Sequence, residues 1–341
     1  MEESDIIISI VVPTYNREER LKQSLMVLSS QDYPAHKYEI IVVDDGSVDS
    51  TEKVARSAGF PNLIYLKQGN QGAGGAKNAG ARIARGKILA FTEDDCIVRN
   101  NWLSSIARLF ESNPDADAFV GHCFYAELEK INRVNTCGGK DLVKMDIKEA
   151  GTFLNMGNGS FAVKKNIFES LHGYDQSFRI GEDLEFNIRM IKAGHSAFLT
   201  SSLPALHFAR SQIKDIFKRT HELAVSEARL VKKYFPNRIV FHAYSELLRV
   251  NKTFSLPFLY TIFIKIYLSD LLAIIMILSF FRYSYLLLLL IPLSWLKFRN
   301  YDLRLKNIPL AAKLSIRYLA EKSAYLSGYI AGSIKYKLII F

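Results

Sequence analysis

The stretch Lys87-Ile-Leu-Ala-Phe-Thr-Glu-Asp-Asp-Cys-Ile-Val98 decides how the rest of the chain is read. Its apolar run, Ile88 to Phe91, is short and follows Gly86, the pattern of a buried strand. The run delivers three consecutive carboxylates, Glu93, Asp94 and Asp95. Carboxylates crowded at a strand end repel one another, and the cost is tolerable when a divalent cation, or a ligand carrying one, sits among them. Hard cations such as Mg²⁺ or Mn²⁺ take oxygen ligands and keep positions open for substrate phosphates. Taken alone, the same residues read equally well as a solvated acidic turn.

Working outward, residues 6–12 are β-branched and apolar, a fully buried strand that ends in the turn Pro13-Thr-Tyr-Asn16. An amphipathic helix follows over 17–31, with Leu21, Leu25 and Leu28 inward. A second buried strand, 38–43, ends in Asp44-Asp45-Gly46-Ser47, and Asp49 or Ser50 can cap a helix running to Ala58. Residues 63–66 make a third short strand. The stretch Gly69-Asn-Gln-Gly-Ala-Gly-Gly-Ala-Lys-Asn-Ala-Gly80 then runs into a helix ending near Gly86. Four strands alternating with helices imply a parallel α/β sheet with right-handed crossovers. Ligands of such sheets bind beyond the carboxyl ends of the strands, where residues 13–16, 44–47 and 93–95 all fall; one composite site is therefore expected. Further on, 102–111 reads as a helix, 119–128 as a strand and 130–150 as a polar loop or lid. The Gly-rich stretch 155–163, containing Asn158, approaches another strand. Gly181-Glu182-Asp183 opens a helix that stops at Gly194, and a last strand over 197–206 leads into His207.

Each motif carries two readings. Asp44 and Asp45 suit hydrogen bonding to a nucleobase and ribose hydroxyls, yet Asp-Gly-Ser also fits a capped turn before a helix. Residues 69–80 match neither GxxxxGK(S/T) nor GxGxxG. Their physical content is a flexible backbone at a helix N-terminus with Lys77 placed to meet negative charge, or else a tight helix–sheet contact. Glu182 and Asp183 are either acids favoured by a helix dipole or a carboxylate that accepts a proton from a hydroxyl nucleophile. His207 is either structural or a metal ligand beside Asp95.

Charge divides the chain. Residues 1–207 hold 23 Lys+Arg against 27 Asp+Glu, a net −4, whereas 208–341 hold 21 against 7, a net +14. The basic residues of the second part flank long apolar runs rather than a polar groove, which argues for a membrane surface and against nucleic acid. Cys96, Cys123 and Cys137 are too few and scattered for a disulfide framework, no CxxC pair suggests zinc, and a reducing, cytosolic setting is expected. The acidic N-terminus does not read as a signal peptide. Residues 211–250 read as a basic amphipathic linker, 251–298 as a hydrophobic hairpin that spans or re-enters the bilayer, and 299–341 as a basic amphipathic tail. In the hairpin, 256–281 could cross, while 284–296 is short of a bilayer core. Lys and Arg at both outer ends place those ends in the cytosol.

Together the motifs resemble the family 2 glycosyltransferases with a GT-A fold. The matching stretches are Ser-Ile-Val-Val-Pro-Thr-Tyr-Asn (9–16), Val-Val-Asp-Asp-Gly-Ser (42–47), Gly-Ala-Lys-Asn-Ala-Gly (75–80), Phe-Thr-Glu-Asp-Asp-Cys (91–96) and Gly-Glu-Asp (181–183). The resemblance covers 6–210 and implies a Rossmann-like, mostly parallel sheet with flanking helices in a catalytic domain over 1–210, followed by membrane-associated helices. It implies that Pro13, Tyr15, Asp44, Asp45 and Asp94 hold a nucleotide sugar, with Lys77 near the diphosphate. Asp95, Glu93 and His207 would hold Mn²⁺ or Mg²⁺, with Glu93 standing where the family usually has Asp. Asp183 would be the catalytic base, with Asn158 and Glu182 on the side of the donor sugar and acceptor. The implied activity is an inverting transfer of one sugar from a nucleotide diphosphate sugar, UDP-linked by preference, to a lipid-linked or growing glycan acceptor. It would occur at the cytosolic face of the cell membrane, in contact with membrane lipids. No Gln-x-x-Arg-Trp run is present, so single additions are expected. A polyprenyl-phosphate sugar synthase and a non-catalytic nucleotide-sugar-binding membrane scaffold are the alternatives.

Overall fold

The computed structural model describes residues 6–125, 142–145, 159–208, 213–234, 238–245, 250–257, 262–267, 308–336 and 339–340. The chain forms two compact units, one drawn from the part up to Ala209 and the other mostly from Arg210–Phe341.

In the first unit, β1 (Ile8–Thr14), β2 (Tyr38–Asp44) and β4 (Ile88–Phe91) are buried along their whole length. Their continuous β-branched and apolar runs leave no face for water, as a strand covered on both sides requires. With β3 (Leu63–Lys67) they form the parallel run β3-β2-β1-β4, linked by α1 (Glu18–Leu28), α2 (Thr51–Arg56) and α3 (Gly72–Ile83). Leu21, Leu25 and Leu28 of α1 join Ile8, Ile10, Val12 and Val42 in one core cluster.

Beyond β4 the expectation of a mostly parallel sheet needs correction. β8 (Phe161–Lys164) runs antiparallel to both β4 and β6 (Ala118–Tyr125), while β5 (Cys96–Val98) and β7 (Leu142–Lys144) run antiparallel to β9 (Ala197–His207). The order is β3-β2-β1-β4-β8-β6-β9-β5, with β7 off this path, and β6 and β9 are parallel. Thus Ile88 and Val98, close in sequence, end in strands far apart in the sheet. The turn at 92–95 separates β4 from β5, which then pairs with the end of β9, Cys96 opposite His207. Helices α4 (Trp102–Ser112), α5 (Lys165–Ser170) and α6 (Glu182–Lys192) complete the unit.

Of the two readings of the glycine-rich stretch, the tight helix–sheet contact is the one observed: from Gly72 onward it is α3 itself, packed closely on the sheet. A Cβ on Gly80 would lie 2.5 Å from Val11 Cγ1 and 3.0 Å from Val43 Cγ2, so only glycine lets the helix approach this closely.

In the second unit, α7 (Ile213–Tyr234) lies within residues 211–250 and α8 (Ile308–Tyr336) within residues 299–341. A Cβ on Gly328 would meet His221 O at 2.4 Å and Ala224 Cβ at 2.7 Å, and one on Gly332 would meet Ala228 Cβ at 2.6 Å. These contacts advance together along both helices, so α7 and α8 run parallel. His221 Nδ1 lies 2.8 Å from Ser327 Oγ, and the Tyr329 hydroxyl donates to Glu227. Between the helices in sequence, β10 (Arg238–Ser245), β11 (Val250–Pro257) and β12 (Ile262–Tyr267) join β13 (Ile339–Ile340) in a sheet ordered β11-β10-β12-β13. The first apolar stretch was expected as helix, yet its opening residues are strands; Ile262-Phe-Ile-Lys-Ile-Tyr267 is β-branched and aromatic, a composition that favours a pleated surface. Among the described residues no helix is long and apolar enough to cross a membrane. The remainder of the expected hairpin, 268–298, lies outside the described residues.

Candidate active site

The carboxyl ends of β1, β2 and β4 converge on one edge of the sheet. Thr14 pairs in register with Asp44, and the Thr92 N–H donates to Val11 O, which sets the acidic turn directly beyond β1. Two acid clusters result, and their surroundings differ.

The β2-end cluster is saturated. Asp44 Oδ1 accepts the Ser47 N–H at 2.7 Å and Oδ2 accepts the Tyr65 hydroxyl at 2.5 Å. Burial, and then the bond to Asp44, push the Tyr65 phenol well above its usual range. Asp45 Oδ1 accepts from Gln68 Nε2 and from the Gln71 N–H, both at 2.8 Å, and Oδ2 accepts the Gly72 N–H at 2.8 Å. Asp45 thus satisfies backbone donors at the start of α3. Asn16, at a left-handed φ of 51°, donates its N–H to Ser47 Oγ and accepts the Val48 N–H through Oδ1, each at 2.8 Å. This clamp joins the loops after β1 and β2. Pro13 is buried beside it, whereas Tyr15 is 47 % exposed at the rim.

The β4-end cluster is different. Asp94 accepts the Thr14 hydroxyl on Oδ2 and Arg17 Nη1 on Oδ1, both at 2.8 Å. The same Nη1 reaches Asp95 Oδ2 at 2.7 Å. Burial pushes the Asp94 carboxyl up to about 6 in spite of Arg17. Burial also works against the charge of Arg17, but Asp94 and Asp95 outweigh it and hold its pKa above the ordinary value. Asp95 Oδ1 is buried without a hydrogen bond, 3.5 Å from His207 Nε2; Glu93 Oε2 lies 4.0 Å from the same nitrogen. A donor atom from each of Glu93, Asp95, Cys96 and His207 falls within a 4.8 Å span. An orphaned carboxylate oxygen beside a second carboxylate and an imidazole suits a divalent cation, so these residues fit Mn²⁺ or Mg²⁺.

Lys77, expected near a diphosphate, lies between two carboxylates. It is fully buried, 3.0 Å from Glu182 Oε1 and 3.5 Å from Glu93 Oε1. Burial disfavours its charge, yet Glu182 and Glu93 hold the ammonium well above its ordinary range. These contacts tie the start of α6 to the acidic turn. Gly181, at φ 79°, starts that helix and Asp183 follows, its Oδ1 accepting the Leu184 N–H at 2.8 Å. Asp183 also acts electrostatically on Lys77, so the base candidate belongs to the same charge network. Asn158 lies outside the described residues. Around the turn, Glu93, Asp94, Asp95, Glu182 and Asp183 face Arg17 and Lys77, an excess of acid that a divalent cation would offset.

The structure therefore brings Asp94, Asp95, Glu93, His207, Lys77, Glu182 and Asp183 into one network and holds Asp44 and Asp45 in the adjoining loop. Sequence reasoning passed over Arg17, Thr14 and Tyr65. The first two belong to the turn that follows β1, where a cation beside a strand-end motif is a usable signal. Tyr65 gave none, because its link to Asp44 depends on the pairing of β2 with β3.

The family model described as glycosyl transferase family 2 matches residues 9–171. Glycosyltransferase AglE of Haloferax volcanii is 29% identical over 208 residues, covering 60% of this chain and 67% of that protein. A dolichyl N-acetyl-alpha-D-glucosaminyl phosphate 3-beta-D-2,3-diacetamido-2,3-dideoxy-beta-D-glucuronosyltransferase of Methanococcus voltae is 25% identical over 246 residues, covering 67% and 75%. Among solved structures, S. aureus TarS 1-349 in complex with UDP-GlcNAc has a TM-score of 0.54 at 18% identity, covering 64% of this chain and 66% of that one. At that identity the likeness is one of fold. The acidic turn, the clamp joining the first two strand ends and the strands that carry them all lie in the matched region, and the chain carries a glycosyl transferase family 2 domain over residues 9–171.

Proposed function

We propose that the protein transfers one sugar, with inversion, from a UDP-sugar to a lipid-linked or growing glycan acceptor. The observation that carries this reading is the orphaned Asp95 Oδ1 facing Glu93 and His207 at the carboxyl edge of the sheet, with Asp183 in the same charge network. Pro13, Tyr15 and the saturated Asp44–Asp45 loop form the nucleotide's rim, where Tyr15 offers an exposed ring for stacking. Glu93, Asp95 and His207 would hold Mn²⁺ or Mg²⁺, which supplies Lewis-acid stabilisation of the departing nucleoside diphosphate. Asp183 accepts the proton of the acceptor hydroxyl as that oxygen attacks the anomeric carbon. Lys77 keeps Glu182 and Glu93 in place rather than contacting the donor. The lipid-linked acceptor is supported by the dolichyl phosphate named in the Methanococcus voltae relative and by the +14 charge of residues 208–341. That charge also supports attachment to the cytosolic face of the cell membrane.

The test is UDP release from a panel of UDP-sugars by detergent-purified protein, with Mn²⁺ or Mg²⁺ and then with EDTA. Metal-dependent turnover of one donor, abolished in Asp95→Ala and Asp183→Ala, is the expected result. Turnover with GDP- or dTDP-sugars alone would overturn the choice of nucleotide. Binding without turnover, unchanged in Asp183→Ala, would replace the enzyme with a scaffold.

A further inference from the structure

We infer that Arg17 is a built-in counter-ion that holds the cation site in a low-affinity state until the donor's diphosphate draws the guanidinium away. Divalent cation and nucleotide are then taken up together. The inference rests on the nucleotide-sugar reading above and names how that site is loaded.

A single nitrogen, Arg17 Nη1, bridges Asp94 Oδ1 at 2.8 Å and Asp95 Oδ2 at 2.7 Å. Asp95 is thereby shared: one oxygen serves the guanidinium, and the other faces the cluster of Glu93, Cys96 and His207. Two cations on one carboxylate repel, so Arg17 in this position weakens any divalent ion bound to Asp95. The scale follows from proton binding, where a neighbouring guanidinium lowers a carboxylate's affinity by about 10- to 1,000-fold.

Arg17 is also able to leave. Its side chain is 33% exposed, against 3% for Asp94 and 10% for Asp95. Among the described residues all its hydrogen bonds run through Nη1, so Nε and Nη2 are available to a ligand. The backbone beneath it is fixed by the bonds from Asn16 to Ser47 and Val48, which confines the movement to the side chain. Lys77, the other cation on these carboxylates, is fully buried between Glu182 and Glu93 and would lose both partners by reaching out. A guanidinium offers a diphosphate paired, parallel hydrogen bonds that a carboxylate edge contacted by one nitrogen does not use. A diphosphate therefore competes for Arg17 and, in taking it, leaves Asp95 with its full charge for the metal.

The experiment measures Mn²⁺ binding by electron paramagnetic resonance of the free ion, on the detergent-purified full chain. It is done first without nucleotide and then with UDP, correcting for the Mn²⁺–UDP complex formed in buffer. Arg17→Met should tighten Mn²⁺ binding in the absence of nucleotide by about tenfold or more. The factor by which UDP strengthens Mn²⁺ binding should shrink correspondingly, and by reciprocity so should the factor by which Mn²⁺ strengthens UDP binding. Arg17→Lys, which keeps the charge, should stay close to wild type. A folded Arg17→Met, with the wild-type urea midpoint, whose Mn²⁺ affinity is unchanged or weaker would overturn the inference, as would equal tightening in Arg17→Lys. If wild type turns over a UDP-sugar while Arg17→Met binds Mn²⁺ like wild type, the inference alone falls. If wild type binds neither Mn²⁺ nor UDP, the nucleotide-sugar reading falls with it.

Discussion

Two acidic strand ends flank β1 on one edge of the sheet, and they do opposite things. Asp44 and Asp45 accept hydrogen bonds from the Ser47, Gln71 and Gly72 backbone N–H groups, the Tyr65 hydroxyl and the Gln68 amide. Asp95 keeps one buried oxygen that no donor satisfies. Proximity of acids at a strand end therefore does not define a reactive site. What distinguishes the two is how much of each carboxylate's hydrogen-bonding capacity the fold has already consumed. The first cluster ties down its own loops, and the second keeps acceptor capacity unused.

This contrast predicts a division between activity and stability. Asp183→Asn and Asp95→Asn should lower turnover by about 100- to 10,000-fold, the range for losing a group that acts on the reacting atoms. Asp95→Asn should leave the urea midpoint close to wild type, because its side chain holds no loop backbone in place. A stability loss there as large as in the β2-end variants would break the distinction.

The second prediction concerns Asp94. Its folded pKa of about 6 lies above the ordinary aspartate value of 3.8, so the folded state binds the proton more tightly than the unfolded one. Ionised Asp94 therefore opposes folding above about pH 6, each tenfold difference in proton affinity amounting to about 1.4 kcal/mol. That penalty is relieved as pH falls from about 6 towards 3.8. Wild type should thus gain stability relative to Asp94→Asn over this window in metal-free urea titrations. A constant difference between the two across the window would show that Asp94 titrates normally.

At the β2 end, Asp45→Ala should cost about 1–3 kcal/mol in urea unfolding, since it strips the acceptor from the Gln71 and Gly72 N–H groups. The smallest effect is expected for Tyr65→Phe, about 1 kcal/mol, with nearly unchanged turnover. Loss of turnover there without loss of stability would move Asp44 from the rim into the chemistry.

Much of this edge was legible in the sequence, because continuous apolar runs such as 38–43 and 88–91 can be buried only as covered strands, and their ends must then meet. The loop at Asp44 and Asp45 and the turn at Glu93, Asp94 and Asp95 came together for that reason, whereas His207 reaches Asp95 through the pairing of β5 with β9. What was not legible depended on register and on close packing. The three residues of β5 are too few to announce a strand, and they are held by pairing with β9. Residues 72–80 are rich in glycine, which argues locally for a loop, but the approach of α3 to Val11 and Val43 makes glycine a requirement of the helix. Residues 262–267 lie in an apolar stretch whose length suggests a membrane helix, while their pairing with β10 makes them strand. Arg17 follows a turn motif directly, but its two carboxylate partners lie 77 and 78 residues away.

The parallel course of α7 and α8 bears on how the second unit comes together. Two antiparallel helices can form from a short hairpin as soon as both are made, whereas parallel neighbours need a return path along the length of the pair. Here 73 residues separate Tyr234 from Ile308. Closing a flexible loop of that length costs about 4 kcal/mol in chain entropy before any contact is gained. The small-residue seam of Ala224 and Ala228 against Gly328 and Gly332 is what must offset it. Until α8 has been synthesised and has returned, α7 carries a narrow apolar groove with nothing in it, and assembly of this unit is a late, long-range event in folding.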